Sequence, residues 1–168
     1  MSDRGNRSDS IIVVSINNST KDVKLLSIYR DTYVSINGKY SKINAAYSWG
    51  GPELAISTIN RNLDLNIEKY ATVNFKILAD IVDAVGGIEV KVDKSILKNL
   101  NAYIGDMNRI NGGHSPKLSS AGTYTLDGNQ SVAYSRIRYT AGGDLARAGR
   151  QREVLQKIFV QRPRKIPL

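Results

Sequence analysis

Residues 75–93 read Phe-Lys-Ile-Leu-Ala-Asp-Ile-Val-Asp-Ala-Val-Gly-Gly-Ile-Glu-Val-Lys-Val-Asp, and the hydrophobic period changes in the middle of the stretch. Phe75, Leu78, Ala79, Ile81, Val82 and Val85 recur at i, i+3, i+4, i+7 spacing, so they form one face of a helix that Gly86-Gly87 closes. Ile88 to Asp93 then alternates strictly between apolar and charged residues, which is the pattern of a strand with one polar face. A helix feeding a strand through a glycine pair sets the expectation of an α/β fold.

Upstream, Ile11–Ile16 and Val23–Ile28 flank the polar run 17–22 and read as a hairpin. Both runs are nearly continuously apolar, which predicts a sheet covered on both faces. A third strand over 32–36 stops at Asn37-Gly38, a strong turn signal. Gly50-Gly51-Pro52-Glu53 places Pro in the first turn of a helix carrying Leu54, Ala55, Ile59 and Leu63, and 70–74 reads as a short strand or lead-in. Downstream, 99–122 is rich in Asn, Gly and Ser, contains Pro116, and reads as a long functional or mobile loop. Leu126-Asp127-Gly128 opens a short helix to about Tyr134, and 135–138 reads as extended. A turn over 140–144 follows, with Asp144 capping a last helix to about Gln161. Interleaved strands and helices over 168 residues predict a single α/β domain, an α-β-α sandwich with a central mixed β-sheet and helices on both faces.

Composition narrows the chemistry. With 41% hydrophobic and 23% charged residues the chain can build a sizeable core, which excludes disorder and collagen. It has no Cys and one His, His114, so thiol catalysis, an iron–sulfur cluster and a Cys/His zinc site are excluded. A metal would need oxygen ligands. The net charge is +9, from 24 Lys+Arg against 15 Asp+Glu, and residues 136–168 hold nine of the cations and two of the acids. This basic pole attracts phosphate groups. No apolar run reaches the roughly 18 residues that span a bilayer, so the chain as given reads as soluble.

Neither a P-loop nor a dinucleotide fingerprint occurs. What the chain offers is arginines. Arg136 and Arg138 lie two apart, so on a strand they share a face, and Arg147, Arg150 and Gln151 share a face of a helix with Asp144 one turn earlier. Two converging arginine faces would make a pocket for a dianionic group, because the guanidinium fork binds phosphate bidentately and keeps its proton. The same spacing also fits a solvated helix face. Asp3 and Asp9 near the start could hold Mg²⁺ beside a pyrophosphate, and Arg30-Asp31-Thr32 directly follows the second strand, where sheet proteins commonly bind ligands. Trp49 and the tyrosines are read as packing residues.

Several blocks in order resemble the LytR-CpsA-Psr family of bacterial cell-wall glycopolymer ligases. They are Arg7-Ser8-Asp9-Ser10, Ser27-Ile28-Tyr29-Arg30-Asp31-Thr32, Lys42-Ile43-Asn44-Ala45-Ala46-Tyr47 with Gly50-Gly51, Val85-Gly86-Gly87-Ile88, Leu126-Asp127-Gly128, Tyr134-Ser135-Arg136-Ile137-Arg138, and Asp144-Leu145-Ala146-Arg147-Ala148-Gly149-Arg150-Gln151. Tyr29 stands where the family usually has Pro before Arg-Asp-Thr. The resemblance implies a domain on the extracytoplasmic face of the bacterial membrane, held by an N-terminal transmembrane helix, so the chain reads as one domain excised from a longer anchored protein. It implies a polyprenyl pyrophosphate in an apolar tunnel, for which the helices 54–63 and 75–85 offer candidate walls. It also implies transfer of a glycopolymer, such as teichoic acid or capsule, from undecaprenyl pyrophosphate to peptidoglycan through a phosphodiester. By position Asp3 and Asp9 match the family's Mg²⁺ carboxylates, with Mn²⁺ a substitute. Arg30, Arg136, Arg138, Arg147 and Gln151 match its pyrophosphate-binding set, and Asp144 and Arg150 adjoin it.

The chemistry expected is charge stabilisation by arginine and Mg²⁺ during in-line attack of a sugar hydroxyl, with Arg30 at the reacting phosphate and Asp9 or Asp31 orienting or deprotonating the hydroxyl. Two alternatives stand beside it. The same site admitting water would be a polyprenyl or nucleotide pyrophosphatase, and the basic pole would suit a noncatalytic binder of anionic polymer. Nucleic acid is not the expected partner, because the arginines cluster near carboxylates rather than lie in a stripe with aromatics.

Overall fold

The computed structural model describes residues 7–138 and 141–160. The chain divides into two compact units, one ending at Thr72 and one beginning at Val73.

In the first unit β1 (Ile11–Ile16) and β2 (Val23–Ile28) form the expected antiparallel hairpin, with Ile11 opposite Ile28 and Ile16 opposite Val23. β3 (Tyr33–Ile36) turns at Asn37-Gly38 into β4 (Lys39–Lys42), a strand that sequence reading leaves out because only one of its residues, Tyr40, carries a β-forming side chain. Val34 and Ile36 point inward and join Ile28, Ile43, Ala45, Ala46 and Ile59 in a core. α1 (Ala45–Leu63) begins earlier than expected and is broken at Gly50-Gly51, so the predicted helix from Pro52 is its second segment. The β1–β2 sheet is not covered on both faces as predicted. Val14, Ile16, Val23 and Leu26 are exposed, since a two-stranded ribbon offers no second layer.

In the second unit α2 (Phe75–Ala84) and β5 (Ile88–Val92) follow the opening stretch closely. Asn74 caps α2 by accepting from Ile77 N at 2.8 Å, so 70–74 is a lead-in and not a strand. Gly87 has φ +85°, and a Cβ there would stand 2.8 Å from the Leu126 carbonyl, so no other residue fits between helix and strand without a shift. Ile88, Val90 and Val92 face the core while Glu89 and Lys91 face out.

The predicted loop over 99–122 is overturned. It holds most of α3 (Lys94–Asn111), whose buried Ile96, Leu100, Ile104 and Met107 recur at helical spacing, and it ends where β6 (Gly122–Leu126) pairs antiparallel with β5. α4 (Gly128–Arg136) starts with a capping box: Gln130 N donates to Asp127 Oδ1 at 2.8 Å and Asp127 N to Gln130 Oε1 at 2.9 Å. All its residues but the last are buried, and α5 (Gly143–Val160) follows. The α/β class stands. In place of one central mixed sheet, the described strands pair two by two in three antiparallel sheets.

Candidate functional site

In the first unit Arg30 leaves the end of β2 and donates from Nη1 to Asp9 Oδ1 at 2.8 Å. Its Nε is buried with no hydrogen-bond partner among the described residues, and Asp31 Oδ2 lies 3.8 Å away. Lys42 Nζ meets the other oxygen of Asp31 at 3.1 Å. The backbone fixes this turn, because Asn44 N donates to the Arg30 carbonyl and Ile43 N to that of Thr32. The three residues predicted to act in catalysis, Asp9, Arg30 and Asp31, therefore form one ion-pair cluster, to which the structure adds Lys42. Asp9 and Asp31 are 69% and 47% exposed, so their carboxylates face solvent. Asp3 lies outside the described residues.

In the second unit the expectation of Arg136 and Arg138 on one strand face is corrected. Ser135 and Arg136 belong to α4, because the burial pattern of that helix continues past Tyr134, and Ile137 is its C-cap. Arg136 in the last turn suits the negative end of the helix dipole. Its guanidinium lies 4.5 Å over the Phe75 ring and 5.5 Å from that of Tyr103, and Nη1 approaches Met107 Sδ at 3.5 Å. α2 and α3 thus hold this cation by aromatic faces, and among the described residues no carboxylate pairs with it.

Arg138 and Arg147 are brought together on one carboxylate, with Asp144 Oδ1 3.9 Å from Arg138 Nε and 3.2 Å from Arg147 Nη2. Asp144 is not the predicted N-cap. The Gly142 carbonyl accepts from Leu145 N and Ala146 N, which puts Asp144 inside the first turn of α5, where a carboxylate still suits the helix dipole. Arg147 is buried, and Gln151 lies one turn further along the same helix, half-buried.

Arg150, predicted to adjoin the phosphate, ties α5 to the end of α4. Its Nη2 donates to the Ile137 carbonyl at 2.5 Å, and its guanidinium stands 6.0 Å from the Tyr134 ring. Tyr134 in turn donates to Glu153 Oε2 at 2.8 Å. Burial lowers the Arg150 pKa, which Tyr134 and Glu153 partly offset, while burial and then the Glu153 hydrogen bond push the Tyr134 hydroxyl above the usual phenol value. Arg150 pins the segment that carries Arg138. Sequence reading set Phe75 on a helix face but not beside Arg136, and passed over Tyr103 and Met107, because the three come from two helices; the i, i+4 spacing of Tyr103 and Met107 was the available signal.

The LytR_cpsA_psr family model matches residues 2–167. The chain belongs to this family. It is similar to the polyisoprenyl-teichoic acid–peptidoglycan teichoic acid transferase TagU of Enterococcus faecalis, with 37% identity over 155 residues, covering 90% of this chain and 46% of that protein. Among solved structures it is similar to Bacillus subtilis TagT, with TM-score 0.73 and 36% identity over 93% of this chain and 60% of that one. It is likewise similar to the LytR-CPS2A-psr family protein YwtF (TagT) with bound octaprenyl pyrophosphate lipid, with TM-score 0.70 and 33% identity over 90% and 58% of the two chains. The chain spans about half the length of these proteins.

Proposed function

We propose that this LytR-CpsA-Psr chain transfers a glycopolymer from a polyprenyl pyrophosphate carrier to a peptidoglycan hydroxyl, forming a phosphodiester on the extracytoplasmic face of the membrane. The observation that carries the reading is the gathering of guanidinium groups at the start of α5, where Arg138 and Arg147 both reach the carboxylate of Asp144. Two guanidinium groups brought together at a helix N-terminus present the chemistry that a pyrophosphate requires. The name of the TagU relative and the lipid held by the TagT-type structure support the same reading.

In this reading Arg136, Arg138 and Arg147 neutralise the phosphoryl oxygens, with Gln151 as a neutral donor. By its position in the family motif Arg30 is assigned to phosphate binding, and Asp31 or Asp9 to taking the proton of the attacking hydroxyl while polyprenyl phosphate leaves. The donor set suits Mg²⁺, or Mn²⁺ in its place. Asp9 offers a hard, exposed carboxylate oxygen beside Arg30, and such ions are held through one or two carboxylates with phosphate and water completing the shell. Asp9 with Asp3 would hold the ion, which would supply further neutralisation of the pyrophosphate. Asp9 alone is a poor cation site, since among the described residues no three acidic or imidazole groups gather.

The test is equilibrium binding of a polyprenyl pyrophosphate with and without Mg²⁺ to the wild type and to Arg136→Ala/Arg138→Ala, beside a DNA oligomer of matched charge. The expected result is Mg²⁺-assisted lipid binding that the double variant loses by about a hundredfold, from two charge-assisted contacts. Lipid binding unchanged in the variant, or DNA bound equally well, would overturn the reading. Release of free polymer rather than a phosphodiester product would mark a pyrophosphatase.

A further inference from the structure

The tyrosines were expected to pack, yet Tyr33 and Tyr40 are each 69% exposed. Their rings stack at 6.1 Å between centroids with 21° between planes. The register sets Tyr33 opposite Lys42 and Tyr40 opposite Ser35, so Tyr33, Ser35, Tyr40 and Lys42 share the outer face of the β3–β4 hairpin while Val34 and Ile36 fill the core behind it. A diagonal pair of this kind holds a hairpin together, but it also leaves two aromatic surfaces in water.

This face adjoins the candidate site. Lys42 is ion-paired with Asp31, and Asp31 lies beside Arg30, so the stacked rings border the Asp9–Arg30–Asp31–Lys42 cluster. We propose that Tyr33 and Tyr40 form a stacking subsite for an uncharged pyranose ring of the glycan acceptor, placing its hydroxyl toward Asp31. The naming of the glycan as acceptor rests on the transferase reading above.

The ligand class follows from the chemistry of the face. One side of a pyranose presents a row of C–H groups, apolar and slightly positive, which match the negative face of an aromatic ring, while the hydroxyls at the rim reach polar neighbours. Lys42, the one charged side chain among the four, is already neutralised by Asp31. A polyphosphate chain would find no spare cation on this face, whereas a neutral sugar needs none.

The experiment is calorimetric titration of the full chain with a β-1,4-linked N-acetylglucosamine tetrasaccharide. It is run beside Tyr33→Val/Tyr40→Thr, whose β-forming side chains preserve the hairpin, and Tyr33→Phe/Tyr40→Phe, which keeps the ring faces. Saturable binding that falls roughly tenfold or more in the Val/Thr variant and stays within about threefold in the Phe variant is expected. Ring-proton NMR of the wild type needs no variant, and the sugar is expected to shift Tyr33 and Tyr40. Shifts confined to other residues, unchanged affinity of a folded Val/Thr variant, no saturation at millimolar sugar, or displacement of the sugar by a poly(glycerol phosphate) would each overturn the subsite. Polyprenyl pyrophosphate binding by the wild type is measured in parallel. Its failure counts against the transferase reading, while a failed sugar titration beside intact pyrophosphate binding counts against the subsite alone.

Discussion

Tyr134, Arg150 and Glu153 illustrate how one residue's environment sets its role. Arg150 Nη2 donates to the Ile137 carbonyl and Tyr134 to Glu153, so this part of α5 helps position the segment that carries Arg138. The raised hydroxyl of Tyr134 makes a pH prediction with a definite sign. A group whose pKa is higher folded than unfolded keeps its full contribution below the unfolded value, about 10 for a phenol, and loses it as pH rises from there toward the folded value. Urea unfolding of the wild type is therefore expected to show stability falling above about pH 10, and Tyr134→Phe to fall less over the same range. At neutral pH the variant should lose about 1 kcal/mol with the hydrogen bond. Parallel decline of both proteins would place the alkaline sensitivity elsewhere.

Among the elements, those whose signal is local were legible and those whose signal is distant were not. α2 and β5 carry their own period, and β1 and β2 their own β-branched runs, so each could be read in isolation. β6 has meaning only through β5, more than 25 residues earlier, and its Thr-Tyr-Thr core, though β-forming, is too short to stand out beside the Asn-, Gly- and Ser-rich stretch before it. α3 was hidden because its asparagines and Gly105 disfavour a helix, although Ile96, Leu100, Ile104 and Met107 keep a buried stripe. The site shows the same division. The convergence of Arg138 and Arg147 was legible in the spacing of the charged residues, but the strand face expected for Arg136 fails because α4 runs on through Ser135 to Arg136, whose neighbours Phe75 and Tyr103 arrive from other helices. Leu100→Ala distinguishes the two readings of this region. As a fully buried residue of α3 it should cost about 2–5 kcal/mol in chemical unfolding, whereas Lys98→Ala on the exposed side should stay within about 0.5 kcal/mol. A near-neutral Leu100→Ala would restore the loop.

For the whole molecule the deciding property is a net charge of +9 with much of it after residue 135, which by itself would make the chain a general binder of polyanions. Salt separates that behaviour from a built pyrophosphate site. Duplex DNA engaging six to ten phosphates loses about 10³–10⁵ in affinity between about 50 and 200 mM salt, because each neutralised phosphate releases counterions. A pyrophosphate offers only two phosphoryl groups, and the same slope then allows about a tenfold loss. Arg147, held in the protein by burial and by Asp144, has little of its charge left to screening. Polyprenyl pyrophosphate binding is thus expected to persist at 200 mM salt while DNA binding disappears, as read by titrating both at several salt concentrations. If the two slopes coincide, the arginines act as a diffuse basic surface, and the pairing of Arg138 and Arg147 on Asp144 is then a device for folding α5 rather than for holding phosphate.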